Sequence, residues 1–363
     1  VTWYAASCAT CKTKDWQTMT SPLFPWQDGS WQQLQQLRER LPHAILFHGA
    51  QGIGKTVFAE HFAQSLLCQT PAAGGHPCGK CDACGWFTQY SHPDYRRVRP
   101  EVLDEDDGAD GEEAEAGEGK KSKATKAPSK EIKIDQIRAL ADFMNVSTHR
   151  QGLRVVVLYP AEALNTAAAN ALLKTLEEPP PSTMFLLVSN SIERLLPTIL
   201  SRCRKFGMPM PSPDEALGWL QQQGVKDADL WLAEQGGAPL AAHDMAQSDA
   251  HDIMDEFLRA LARPGTEGAL KTADRLQKAP VTDLVAWLQR WLYDVFSLKL
   301  SGRIRYYPRY RKEITALAEQ ADVSNLLRGL KSVKERRAIA DHPLSAKLFI
   351  EDMLLDYAAL FPS

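Results

Sequence analysis

Gly49-Ala50-Gln51-Gly52-Ile53-Gly54-Lys55-Thr56 fits the pattern G-x-x-x-x-G-K-[ST] and lies between a strand-like run and a helix-like run. The glycines let backbone N–H groups turn inward around phosphate oxygens. Lys55 brings a mobile positive charge, and the Thr56 hydroxyl suits magnesium. Upstream, Ala44-Ile45-Leu46-Phe47-His48 reads as a short buried strand. Downstream, Val57 to Ala63 has helical spacing, so a phosphate would meet a helix N-terminus. Gly49, Gly52, Gly54, Lys55 and Thr56 are the expected nucleotide-binding residues, with ATP or ADP and Mg2+ as the ligands.

Around this loop, 363 residues are enough for two or three domains. A hydrophobic share of 44% and a charged share of 24% are those of an ordinary globular protein, and no apolar run nears the roughly 20 residues needed to span a bilayer. Nothing in the sequence points to a membrane, and a cytoplasmic location is expected. A net charge of −3 offers no global attraction to nucleic acid, so any DNA contact has to be local or shared with partner chains. Met19 opens a stretch that reads as a natural start. Val1 to Thr18, including the Cys8-x-x-Cys11 pair, is therefore expected to be a non-native or disordered extension. No basic segment followed by an apolar core marks a secretory signal.

Four of the seven cysteines cluster as Cys68, Cys78, Cys81 and Cys84. C-x-x-C loops place two sulfurs on one metal without strain, and four thiolates leave no open position for water, so the expectation is a structural Zn2+ module over residues 68–84. A disulfide pair is the alternative; His92 is the nearest other ligand, but ahead of Pro93 and Asp94 it suits a turn. Residues 101–130 carry nine acidic positions from Asp104 to Glu118 and then a run of lysines. That composition buries no core, and a disordered insertion is expected. Order resumes where Ile132 and Ile134 lead into an amphipathic helix. Arg154 to Tyr159 and Met184 to Val188 read as buried strands, separated by a helical run from Ala163 to Glu178 that stops at Pro179. Strands alternating with helices predict a parallel α/β sheet.

Taken together, the phosphate loop, the cysteine insert, Ser91-His92-Pro93-Asp94, Asn170 to Pro180 (NALLKTLEEPP) and Ser201-Arg202-Cys203 resemble the bacterial AAA+ clamp-loader subunits of DNA polymerase III over roughly residues 21–209. The resemblance implies an AAA+ domain over residues 19–208, a small helical lid over 209–248 and an all-α collar over 249–363 that holds a pentameric hetero-oligomer together. It also implies gamma/tau and delta subunits, the sliding clamp and primer-template DNA as partners. Ser189 falls at the family's polar sensor position, and Arg202 at that of an arginine finger serving ATP on a neighbouring subunit.

The chain departs from the motor pattern at two places. Motors of this family end the strand after Leu158 with an Asp-Glu pair, where this chain has Tyr159 and Pro160; Glu162 lies farther along. Proline is no base, and tyrosine is a poor magnesium anchor at neutral pH. Leu240, in Gly236-Gly237-Ala238-Pro239-Leu240, stands where a motor carries a sensor arginine. The reading is a non-motor subunit of the polymerase holoenzyme with Arg202 as its only catalytic contribution, made in trans. The alternatives are an active AAA+ ATPase that uses Glu162, and a zinc scaffold with a vestigial pocket. Glu177 and Glu178 read as structural or interface residues and Cys203 as a buried small residue. The stretch from Arg303 to Lys312, which mixes cations with tyrosines, reads as a loop or partner surface.

Overall fold

The computed structural model describes residues 23–104, 128–145, 152–340 and 345–361. The segment 1–18 and residues 105–127 of the charged insertion lie outside the described residues. The chain divides into two compact units that meet in sequence between Ser212 and Pro213.

The first unit is built on a parallel sheet of β1 (Ala44–His48), β2 (Tyr95–Val98), β3 (Arg154–Leu158), β4 (Thr183–Ser189) and β5 (Arg204–Gly207), in the order β2-β3-β4-β1-β5. Side chains alternate across a strand, so each apolar run feeds two cores. Ile45, Phe47, Val155, Val157, Leu186 and Val188 join Trp31, Phe58 and Phe62 on one face. Leu46, Val156, Leu158, Phe185 and Leu187 join Ile137, Leu140, Leu172 and Ile199 on the other. Helices Asp28–Gln36, Lys55–Leu67 and Asp82–Thr88 supply the first layer, and Ile134–Asn145, Thr166–Glu177 and Pro197–Arg202 the second. The helix expected from Ala163 starts at Thr166, because Asn165 caps it by accepting from the Ala168 amide at 2.8 Å; Ala161–Ala163 forms a separate 3-10 turn.

The parallel order brings the C-terminal ends of β1, β3 and β4 to one edge. His48 lies opposite Ser189, and Leu158 opposite Leu187, so the loops that follow these strands are neighbours.

The second unit is helical. Short helices Pro213–Gln222, Ala228–Glu234 and Pro239–Gln247 pack on one another, followed by Ala250–Leu261, Thr266–Leu276, Val281–Ser301, Arg311–Gln320, Val323–Ile339 and Ala346–Ala358. Val281–Ser301 is the central helix, packed against Ala250–Leu261, Arg311–Gln320 and Val323–Ile339. Its Trp291 is fully buried and donates to the Tyr357 hydroxyl at 2.9 Å. None of the described helices is long and apolar enough to cross a membrane.

Candidate functional site

The loop from Gly49 to Gly54 links β1 to the helix Lys55–Leu67, and its backbone is fixed from behind. Gly54 caps that helix in the left-handed region at φ 84°, and a Cβ there would sit 2.5 Å from the Phe24 ring. At Gly49 a Cβ would come within 2.5 Å of the Met208 carbonyl oxygen. The Trp26 indole donates to Ile53 O at 3.0 Å, and the buried Gln27 amide donates to Ile53 O and Gly54 O at 3.1 and 3.0 Å. These donors occupy loop carbonyls. A loop held this way is suited to turning its amides toward an anion at the helix N-terminus.

Lys55 is buried at the first helical position, with Thr56 beside it. Its ammonium donates to Ala50 O at 2.5 Å and to Asn190 Oδ1 at 2.7 Å. Burial lowers its pKa to about 8, against the opposing pull of Glu162. The polar side chain that reaches the lysine is thus Asn190, the residue just after β4. The hydroxyl of buried Ser189, the residue singled out from sequence, accepts from the Ser191 amide at 3.1 Å. Glu162 joins the same network, one carboxylate oxygen accepting from the Asn190 amide at 3.0 Å. Its other oxygen, Oε2, is buried without a hydrogen-bond partner.

Tyr159, at the C-terminal end of β3, turns its hydroxyl to Glu60 Oε1 on the loop's own helix, at 3.3 Å. Arg97 of β2 approaches the same carboxylate oxygen at 4.0 Å. Burial pushes the Tyr159 phenol up, so it stays protonated at neutral pH. The position where a motor needs a free carboxylate therefore ties the loop helix to β2 and β3.

A separate cluster follows that helix. The Cys68, Cys78, Cys81 and Cys84 sulfurs all lie within 4.8 Å of one another, with Cys68 to Cys81 at 3.9 Å and Cys78 to Cys84 at 4.0 Å. A tetrahedral ion with arms of ~2.3 Å to sulfur has edges of ~3.8 Å, so the four residues fit a metal. The Thr70 hydroxyl and the Lys80 and Cys81 amides donate to Cys78 Sγ and draw that thiol down to about 5, whereas burial pushes Cys84 up. Deprotonating all four sulfurs at this spacing would need a cation between them to offset their burial and mutual repulsion. The segment is anchored through Trp31, which stacks on His76 at 4.6 Å and donates to Gly74 O at 2.9 Å. His92, weighed as a ligand from sequence, instead accepts from the Asp94 amide at 3.0 Å through Nδ1.

Arg202 ends the helix Pro197–Arg202. Its Nη1 donates to Thr198 O at 2.9 Å, and its Nη2 pairs with Glu177, the last residue of Thr166–Glu177. Neighbouring Cys203 is buried, and burial pushes its thiol up to about 11, so it is no nucleophile.

In the second unit, Leu240 is the second residue of the helix Pro239–Gln247 and carries no charge. The 303–312 stretch is tied into the helical unit. Tyr307 is fully buried, the Tyr310 hydroxyl bonds Asp255, and the Arg305, Tyr306 and Tyr307 amides all converge on the buried Asp294 carboxylate. Arg309 lies over Trp231 at 4.7 Å. Tyr306 and Tyr310 stay partly exposed, with Arg290 and Arg305 lying 6.0 and 5.4 Å from the Tyr306 ring.

A family model described as "DNA polymerase III, delta subunit" matches residues 26–212, and one described as "DNA polymerase III, delta subunit, C terminal" matches 249–358. The DNA polymerase III subunit delta' of Pseudomonas aeruginosa is 34% identical over 358 residues, covering 93% of this chain and 98% of that protein. The delta' subunit of Haemophilus influenzae is 29% identical, with 92% and 95% covered. That of Escherichia coli K12 is 31% identical, with 69% of each chain covered.

Proposed function

The chain belongs to the delta-prime subunit family of DNA polymerase III, and from that premise we propose that it is a non-motor subunit of the bacterial clamp loader. It assembles with gamma/tau motor subunits and with delta in a pentamer, and it takes part in placing the sliding clamp on primer-template DNA. The observation that carries this reading is Tyr159. Its hydroxyl is committed to Glu60, so the β3 terminus offers neither a magnesium anchor nor a base for water. ATP binds at Gly49, Gly52, Gly54, Lys55 and Thr56 without turnover, within reach of Asn190.

Arg202 is the catalytic contribution, made in trans. A permanently charged planar guanidinium offers several N–H donors to the γ-phosphoryl oxygens of ATP on an adjacent motor subunit, and such a finger is worth about 10³ to 10⁵ in rate. Zinc is the proposed resident of the four cysteines. It closes the 68–84 segment, which has too few apolar residues to fold alone, and takes no part in the chemistry.

Steady-state ATP hydrolysis by the purified chain, alongside an equilibrium nucleotide titration, tests this. The expected result is no turnover, the titration reporting whether the loop holds nucleotide. Motor-like turnover abolished by Lys55→Ala would establish the ATPase alternative and direct attention to the unpaired oxygen of Glu162. In the assembled loader, Arg202→Ala is expected to abolish most of the ATPase that clamp and primed DNA stimulate; an unchanged rate would remove the finger assignment.

A further inference from the structure

The ion pair between Arg202 and Glu177 joins the ends of two helices that are 25 residues apart at these positions. Both ends are rigidly mounted. Leu172 and Leu176 of one helix and Ile199 of the other are buried in the same apolar layer behind the sheet. The two side chains project from that platform, Arg202 31% exposed and Glu177 49% exposed. The guanidinium is held at three points, by Thr198 O at 2.9 Å and Ser201 Oγ at 3.3 Å through Nη1 and by Glu177 through Nη2. Its Nε–H and a second Nη2–H have no partner among the described residues, so two donors remain for an incoming oxyanion.

We propose that Glu177 is a positioning residue for Arg202: it holds the finger in one orientation on the surface of this subunit and leaves two N–H groups to meet the phosphate of the neighbour. The inference rests on the finger reading above. An arginine side chain loses much rotamer freedom when it is fixed, and a carboxylate that fixes it before the neighbour arrives removes that cost from the catalytic step. Glu177 takes up no proton and touches no substrate. Water attacks the γ-phosphorus and ADP leaves entirely within the motor's site, so the effect falls on kcat and not on the affinity for ATP.

A half-exposed ion pair contributes little to stability, up to about 1 kcal/mol, which corresponds to about a five-fold change in a population. Two consequences follow from that figure. Glu177→Ala folds and assembles as the parent does, and its kinetic effect is about five-fold, far below the loss expected from Arg202→Ala.

The experiment is steady-state ATP hydrolysis by the complete clamp loader, with clamp and primed DNA, carrying the parent chain, Glu177→Ala, Glu177→Gln, Arg202→Ala or the double variant. Melting and assembly are checked for each. The expected result is a roughly five-fold lower kcat at unchanged KM for Glu177→Ala and a smaller loss for Glu177→Gln, which keeps an acceptor. The double variant should equal Arg202→Ala alone. A Glu177→Ala rate at or above the parent's, with Arg202→Ala still defective, overturns the positioning role while sparing the finger. A double variant slower than Arg202→Ala also overturns it, since Glu177 would then act by another route. If Arg202→Ala itself is silent, the finger reading fails and the positioning role falls with it.

Discussion

Glu234 offers a stability measurement with a definite sign. Its residue is 1% exposed, its Oε1 lies 3.5 Å from Arg309 Nε, and its Oε2 is buried without a hydrogen-bond partner. Burial raises its pKa to about 7, with Arg309 and Arg290 opposing the shift and Asp255 adding to it. A carboxyl group whose folded pKa lies above its unfolded value of 4.5 favours the folded state fully below pH 4.5. That contribution is lost as pH rises through about 7. At about 1.4 kcal/mol for each unit, the loss at pH 8 approaches about 3 kcal/mol, and the partial solvent exposure of Arg309 reduces it to roughly 1 to 3 kcal/mol. Glu234→Gln keeps the shape and removes the charge. It should therefore stabilise the helical unit by that amount at pH 8 and leave it nearly unchanged at pH 4.5. For a unit of this size, about 2 kcal/mol corresponds to a rise of roughly 4 to 8 °C in Tm. Thermal melts of parent and variant across pH 4.5 to 8 check it, since other titrating groups cancel in the difference. A pH-independent difference, or a variant less stable at pH 8, would mean that the pair with Arg309 outweighs the desolvation of the carboxylate, and the reasoning would fail.

Two further outcomes concern the ligand sites. Metal analysis of the purified chain should return one zinc per molecule, and Cys78→Ser should lose it together with protease resistance over residues 68–84; intact disulfides in place of metal would refute the four-thiolate assignment. Because burial depresses the Lys55 ammonium to about 8, affinity for ATP should fall as pH rises above that value, by up to about tenfold for each unit, and the dependence should vanish in Lys55→Ala. A pH-independent affinity would exclude the lysine from the binding step.

How far the sequence could be read depends on where each residue sits in the sheet. β1, β3 and β4 are interior strands covered on both faces, so they appear as unbroken apolar runs and can be found without a structure. β2 and β5 are the edges. Tyr95-Arg96-Arg97-Val98 and Arg204-Lys205-Phe206-Gly207 carry charges at their exposed positions, and nothing in their composition separates them from loops. The cysteine cluster was legible because its spacing is itself the ligand geometry. The partners of Lys55 were not. Ser189 and Asn190 are adjacent polar residues, and only the register at the end of β4 decides that the second one turns to the lysine. Trp26 and Gln27 brace the loop from 26 to 27 residues away, a contact that no local pattern encodes.

The same geometry bears on why this chain pairs an intact phosphate-loop pattern with Tyr159 and Pro160 after β3. The loop depends on local features: glycines, a helix N-terminus and Lys55 at the first position of its helix. A catalytic carboxylate depends instead on the residue after β3, whose side chain here lies against Glu60 and near Arg97. A neutral tyrosine hydroxyl can donate to Glu60, whereas an aspartate in its place would set two carboxylates against each other beside Arg97 and Arg99. The packing that makes Tyr159 a brace thus also opposes a base at that position. Arg202 escapes this constraint because it stands on the opposite helical layer, where Ile199 and Leu176 fix the platform while the guanidinium stays at the surface. On the proposed reading, a subunit built this way keeps a rigid phosphate loop, leaves hydrolysis to other chains, and presents Arg202 to a neighbour. Those properties suit a fixed member of an assembly whose moving parts are other chains.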